Sequence, residues 1–151
     1  MTLTREQIMD VVRLKCEELD PALICAIIEQ ESNFNPWAYR FEPGFLARYV
    51  AHLDLDLTES EGRSISWGLM QTIGQSVREL GYEGPLPQLC EPETGIFWGC
   101  KLFRMKLIAA RHDSRQGLLY YNGGGNIHYP DQVLARIGQI VSLRPTGTSA
   151  T

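Results

Sequence analysis

From Ala22 to Ile28 the chain carries no polar side chain, and directly afterwards it turns acidic in the triplet "EQE" at 29–31. A helix that is apolar on every side has no face to offer water, so this stretch predicts the buried centre of a domain. Asp20 and Pro21 supply the N-cap and the first helical residue at its start. Everything else in the chain has to wrap this helix. With 151 residues and 44% hydrophobic content, there is material for one core of that kind.

The flanking pattern is helical almost throughout. Thr4 with Gln7 forms a capping-box signature, and residues 4–19 then place Ile8, Val11, Val12, Leu14 and Leu19 at mostly helical spacing. Residues 44–53 read as a short amphipathic helix, and the polar stretch 54–64 as a loop. A further helix is expected over 68–80, stopped by Gly81 and followed by a turn-rich connection. Residues 93–110 form a long helix with Ile96, Phe97, Cys100, Phe103 and Leu107 on one side. A short helix starting at 114 runs into the glycine turn that ends at 126, and 131–143 is the last helix, introduced by Pro130. Alternating runs reach only a few residues, too short for more than minor strands. The expectation is an all-α, or mainly α, fold: one domain over 1–143 and a flexible tail over 144–151.

A formal net charge of −4 argues against nucleic acid as the partner, which selects for a basic face. No apolar run reaches the length of a membrane span, so membrane insertion is not expected. The opening "MTLTREQIMD" lacks a basic end followed by a hydrophobic stretch, which predicts synthesis in the cytoplasm without an export signal. Cys16, Cys25, Cys90 and Cys100 contain no close CxxC pair, and His52, His112 and His128 are scattered, so neither a metal nor a cofactor is expected. The cysteines read as buried free thiols, with a Cys90–Cys100 bridge as the alternative in an oxidising compartment.

Three stretches carry groups suited to chemistry. On helical geometry Glu31 lies on the face of Ile24, Ile27 and Ile28, whereas Glu29 falls nearer Ala22, Cys25 and Ala26. A carboxyl on an apolar face is partly desolvated, which raises its pKa and lets it donate a proton near neutrality. The plain alternative is a solvated charge at a helix end. In "SWGLMQ", 66–71, Gly68 permits close backbone approach and Met70 offers a soft apolar contact. Gln71 can both donate and accept, as an acetamido group requires. The plain alternative there is a helix start with Leu69 and Met70 in the core. In "YYNGGGN", 120–126, the glycines break a helix and expose Tyr121 and Asn122 at its end. They offer a hydroxyl to orient a carboxyl and an amide suited to sugar hydroxyls. A bare C-cap turn has the same pattern. A phosphate-cradling loop does not, because these glycines close a helix instead of opening one and the P-loop lysine is missing.

In their order along the chain, Glu31-Ser32 with the following "NFNP", then Gly68-Leu69-Met70-Gln71, then Tyr121-Asn122-Gly123-Gly124 resemble the soluble lytic transglycosylase domain, a relative of goose-type lysozyme. The resemblance covers most of the chain, from Leu23 to the last helix, with Tyr120 and Gly123 standing where the family has alanines. It implies a lysozyme-like transglycosylase fold whose buried central helix carries the catalytic glutamate. It assigns Glu31 as the acid, Tyr121 as the tyrosine that orients it, and Ser32, Gly68, Leu69, Met70, Gln71, Asn122 and Gly123 as groups lining the saccharide groove. Glu42, between Phe41 and Pro43 close after the central helix, is a further candidate to contact substrate. Phe34, Trp37, Tyr39 and Trp67 are candidates to stack on sugar rings.

The function so implied is cleavage of the bond between N-acetylmuramic acid and N-acetylglucosamine in peptidoglycan glycan strands, leaving an anhydromuramoyl end. An inverting muramidase on the same fold is the alternative. It needs a second carboxylate to activate water, and Glu42, Asp54, Asp56, Glu59 or Glu61 would have to supply it. A non-catalytic wall-binding module is a third reading. "YRFEPGFLARY", 39–49, also resembles stretches of phage muramidases and phage-encoded transglycosylases. The expectation is therefore a monomeric phage or prophage enzyme that reaches the wall at lysis or from a virion.

Overall fold

The computed structural model describes residues 3–141; the tail expected over 144–151 lies outside them. The first helix, α1 (Arg5–Lys15), opens on a complete capping box, with Gln7 N donating to Thr4 Oγ1 and Thr4 N donating to Gln7 Oε1. It stops short of the expected residue 19 because Cys16 is the C-cap and Glu18, at φ 70°, turns the chain. The next helix, α2 (Pro21–Ser32), starts where Asp20 Oδ1 accepts from Ala22 N, and every residue from Ala22 to Glu29 is buried. It ends on two successive left-handed residues, Asn33 at φ 50° and Phe34 at φ 61°. Directly against it pack α1 and α8 (Tyr129–Val141), and the pair α6 (Pro92–Ala109) and α7 (Ser114–Asn122) closes the same core against α1 and α8. Ile24, Ile27, Ile28, Phe103, Leu118, Val133 and Ile140 meet in one core. The architecture is mainly α, as the hydrophobic pattern predicts.

Three expectations about local structure fail, each for a physical reason. The polar stretch 54–64 contains a helix, α4 (Leu57–Arg63), held by its polar groups and without a buried face. Asp56 caps it through Glu59 N, and the Glu59 carboxylate accepts from Arg63 Nε and Arg78 Nε, both at 2.7 Å. The expected helix over 68–80 begins only at α5 (Gly74–Glu79). Its first part is a hairpin whose tip, Gly68 to Gln71, pushes Leu69 and Met70 into the main core. Gly68 sits at φ 66° against the Leu89 carbonyl, where a Cβ would overlap the backbone, so only glycine fits. On α6, Ile96, Cys100 and Phe103 are buried as expected, but Phe97 is exposed and packs edge-on against Trp98.

The hairpin belongs to a small antiparallel sheet in the order β1 (Tyr39–Phe41), β2 (Ile65–Trp67), β3 (Thr72–Ile73). Arg40 lies opposite Ser66, and Ser66 opposite Ile73. The loop from β1 to β2 carries α4 and, before it, a helical run that changes pitch. It passes from α3 (Pro43–Phe45) through a wide π turn at Leu46–Val50 to a tight 3-10 turn at Ala51–Leu53.

The cysteines match the expectation of buried free thiols at two positions only, and the bridge is not the Cys90–Cys100 pair. Cys16 and Cys100 form a disulfide that ties the end of α1 to α6, while Cys25 and Cys90 are free and buried. Packing of α1 on α6 brings the two Cα atoms to 5.7 Å, within bridging range, across a sequence separation of 84 that no local spacing reveals. Burial pushes the Cys25 thiol up to about 12, so it is unreactive at neutral pH.

Candidate active site

The end of α2, one face of the sheet, the middle of α6 and the end of α7 enclose a cavity of about 450 Å³. Glu31 faces it from α2. Arg40, Ser66 and Ile73 reach it from the sheet because they are cross-strand neighbours, and the pleat puts such residues on one face. Gln71 lies at the hairpin, Leu102 and Lys106 on α6, and Tyr120, Tyr121, Asn122 and Gly123 at the end of α7. Glu42 and Phe45 close the side after β1.

Glu31 is half-buried, and the Tyr129 hydroxyl donates to its Oε1 at 2.5 Å. Burial raises its pKa above the ordinary carboxylate value, partly opposed by the Tyr129 hydrogen bond and the charge of Arg40. Glu29, two residues earlier, has a different setting. It is buried between Arg5 at 3.6 Å and Arg136 at 3.5 Å, outside the cavity, with Oε2 lacking a hydrogen bond. Among the described residues Glu31 makes no ion pair. A carboxyl that is desolvated, unpaired and open to a cavity is suited to hold a proton and pass it on.

The tyrosine that touches Glu31 is not the expected one. The Tyr121 hydroxyl donates to the Met70 carbonyl at 2.7 Å, and its ring stands edge-on to Phe103, so it fastens α7 to the hairpin tip. Tyr129, the first residue of α8, is the one whose hydroxyl reaches Glu31. Burial and the nearby Glu31 carboxyl raise the pKa of both tyrosines, so both remain hydrogen-bond donors. The sequence does hold a signal for Tyr129. It stands immediately before Pro130 at a helix start, where the backbone is fixed and a polar-tipped ring can be aimed.

The other residues expected at the site divide. Gln71, Asn122, Gly123 and Glu42 line the cavity. The Gln71 amide nitrogen is taken by the carbonyls of Ala38 and Gly68, at 3.0 and 2.9 Å, which leaves its oxygen for a ligand. Asn122 Oδ1 accepts from Asn126 N, which leaves its NH2 group. Ser32 does not line the cavity; its hydroxyl bonds to the carbonyls of Ile28 and Leu69 and locks the end of α2 to the hairpin. Gly68 is required by backbone contact, and Leu69 and Met70 are core. Phe34 and Trp67 are buried, Trp37 and Tyr39 are exposed, and none of the four lines the cavity; Phe45 and Tyr120 do. Of the five central acids only Glu42 reaches the cavity, where it pairs with Arg40 Nε at 2.6 Å. Asp56 is a helix cap, and the arginines beside Glu59 hold its carboxyl down to about 2.

Tyr129→Phe removes one hydroxyl at nearly constant volume. A hydrogen bond to a charged group is worth about 1.5–3 kcal/mol, so turnover should fall about tenfold or more with little change in KM. Tyr121→Phe should cost stability and leave turnover nearly intact. Steady-state kinetics on soluble glycan fragments, with melting curves, checks both; the opposite pattern would return the orienting role to Tyr121.

The family model described as "Transglycosylase SLT domain" matches residues 12–132. No curated protein and no solved structure matches the chain.

Proposed function

Because the chain belongs to the transglycosylase SLT domain family, whose activity is peptidoglycan degradation of the lytic transglycosylase type, we propose that it cleaves the bond between N-acetylmuramic acid and N-acetylglucosamine. The observation that carries this reading is the Glu31 carboxyl, desolvated, without an ion pair among the described residues and facing the cavity. Protonated Glu31 gives its proton to the glycosidic oxygen as the bond breaks. The substrate's own acetamido group stabilises the oxocarbenium-like carbon, so no second carboxylate is required. The Glu31 carboxylate then takes the proton of the muramoyl C6 hydroxyl, whose oxygen closes the anhydro ring and leaves the acid protonated for the next cycle. Tyr129 holds the carboxyl in place through both transfers. The free Gln71 oxygen suits an acetamido N–H, and the Asn122 NH2 group suits a sugar hydroxyl. The likeness of residues 39–49 to phage muramidases and transglycosylases supports an enzyme of phage or prophage origin.

A hydrolytic variant of this reading has one observation in its favour, namely that Glu42 lines the same cavity as Glu31. An inverting hydrolase would use it to activate water. Incubation with purified sacculi tests the shared part of both readings. Soluble disaccharide-peptides should be released and turbidity should fall; no release at acidic or neutral pH would overturn both and leave a wall-binding module.

A further inference from the structure

Arg40 is the basic residue whose charge acts on Glu31, and it is weakly held by packing, with a side chain 72% exposed. What fixes its guanidinium is Glu42, two residues along and just past the end of β1, through the 2.6 Å contact to Nε. An exposed ion pair of this kind contributes little to stability. Its effect here is on where the guanidinium points. Arg40, Glu42 and Glu31 all line one cavity, so a guanidinium released by Glu42 has Glu31 as the other carboxylate within that cavity.

We propose that Glu42 is a positioning residue: it holds Arg40 on its own side of the cavity and so keeps the Glu31 carboxyl unpaired and able to carry a proton. The inference rests on Glu31 acting as the acid. The other titratable groups facing Glu31 do not compete for this role. Tyr129 on α8 is its hydrogen-bond donor, Tyr121 on α7 is engaged with Met70, and Lys106, which faces the cavity from α6, is not among the charges that act on Glu31. Arg5 and Arg136, the cations next to α2 on its far side, are engaged by Glu29.

The sign follows from the charges. A cation brought closer to Glu31 favours its carboxylate, lowers its pKa and reduces the protonated fraction at neutral pH. Glu42→Gln should therefore move the alkaline limb of the pH–activity profile down by about one unit, a loss of roughly tenfold near neutrality. Arg40→Gln should move that limb up. The double variant Arg40→Gln/Glu42→Gln should lose the downward shift of Glu42→Gln, because the guanidinium that needed holding is gone, and its alkaline limb should lie at or above that of the wild type.

The experiment pairs these profiles with a carbon NMR titration of the Glu31 carboxyl, assigned by the signal lost in Glu31→Gln. The expected result is a lower Glu31 midpoint in Glu42→Gln, a higher one in Arg40→Gln, and rescue of activity in the double variant. An unchanged midpoint in Glu42→Gln, or a double variant as inactive as Glu42→Gln, would overturn the inference; the latter would make Glu42 a direct participant. If Glu31→Gln retains full activity, the reading of Glu31 as the acid fails instead, and the NMR titration still reports where Arg40 acts.

Discussion

Replacing Glu31 by glutamine should lower wall-degrading turnover by about a hundredfold or more, the ordinary range for a general acid, while leaving the protein at least as stable as before. Glutamine keeps the shape of the side chain and can still accept the Tyr129 hydrogen bond, so the proton is the one thing removed. The stability half of the prediction follows from burial. Glu31 has its pKa raised above 4.5, so the folded state binds more protons than the unfolded state in the window above that value. Stability then falls as pH rises through this window, because the charged carboxylate is desolvated only in the folded protein. A neutral amide escapes that cost, and Glu31→Gln should melt at the same temperature as the wild type or slightly higher at neutral pH. Turbidity clearing of purified sacculi and melting curves on one preparation check both halves. A variant keeping more than a small fraction of activity would remove Glu31 from the mechanism; one that is inactive because it unfolds would remove the physical account given for it.

The second large effect concerns the disulfide. Cys16–Cys100 joins residues 84 apart in sequence, and in the chain-entropy account a link of that span restricts the unfolded state by about 4–5 kcal/mol. The double variant Cys16→Ala/Cys100→Ala should therefore lose about 4 kcal/mol, or roughly 10 °C in Tm for a chain of this size. Both cysteines are almost fully buried, so the variant is a cleaner test than added reductant. Alkylation of the unreduced, denatured protein should label Cys25 and Cys90 alone. Four labelled thiols, or a double variant as stable as the wild type, would contradict the bridge. Activity of the folded double variant should be unchanged, since neither cysteine lines the cavity.

The parts of the fold that were legible in the sequence are those where a hydrophobic pattern does the work. The stretch from Ala22 to Ile28 identified the central helix because an all-round apolar helix has only one place to go. The position of Glu31 at the cavity was legible for a related reason: it is a carboxyl left on that helix's apolar side. Failures occurred where other forces act. A cap and two arginines hold α4 together, and hydrophobic periodicity does not register them. The Gly68 to Gln71 stretch looked like a helix start because Leu69 and Met70 are apolar, yet a left-handed glycine against Leu89 makes it a hairpin tip. Tyr129 and Cys16 are distant in sequence from what they touch, Glu31 and Cys100, and only the packed helices bring them there. The same packing explains Tyr121, which stands beside the cavity at the end of α7 but bonds to Met70, not to Glu31.

Digestion of purified peptidoglycan in heavy-oxygen water tests the central claim most directly. If Glu31 both gives and retrieves a proton and the C6 hydroxyl attacks, no solvent oxygen enters the product. The muramoyl ends should then be anhydro, lighter by one water than reducing ends, and free of label. Reducing muramoyl ends carrying the heavy oxygen would show that water attacked, and would contradict the transglycosylase chemistry.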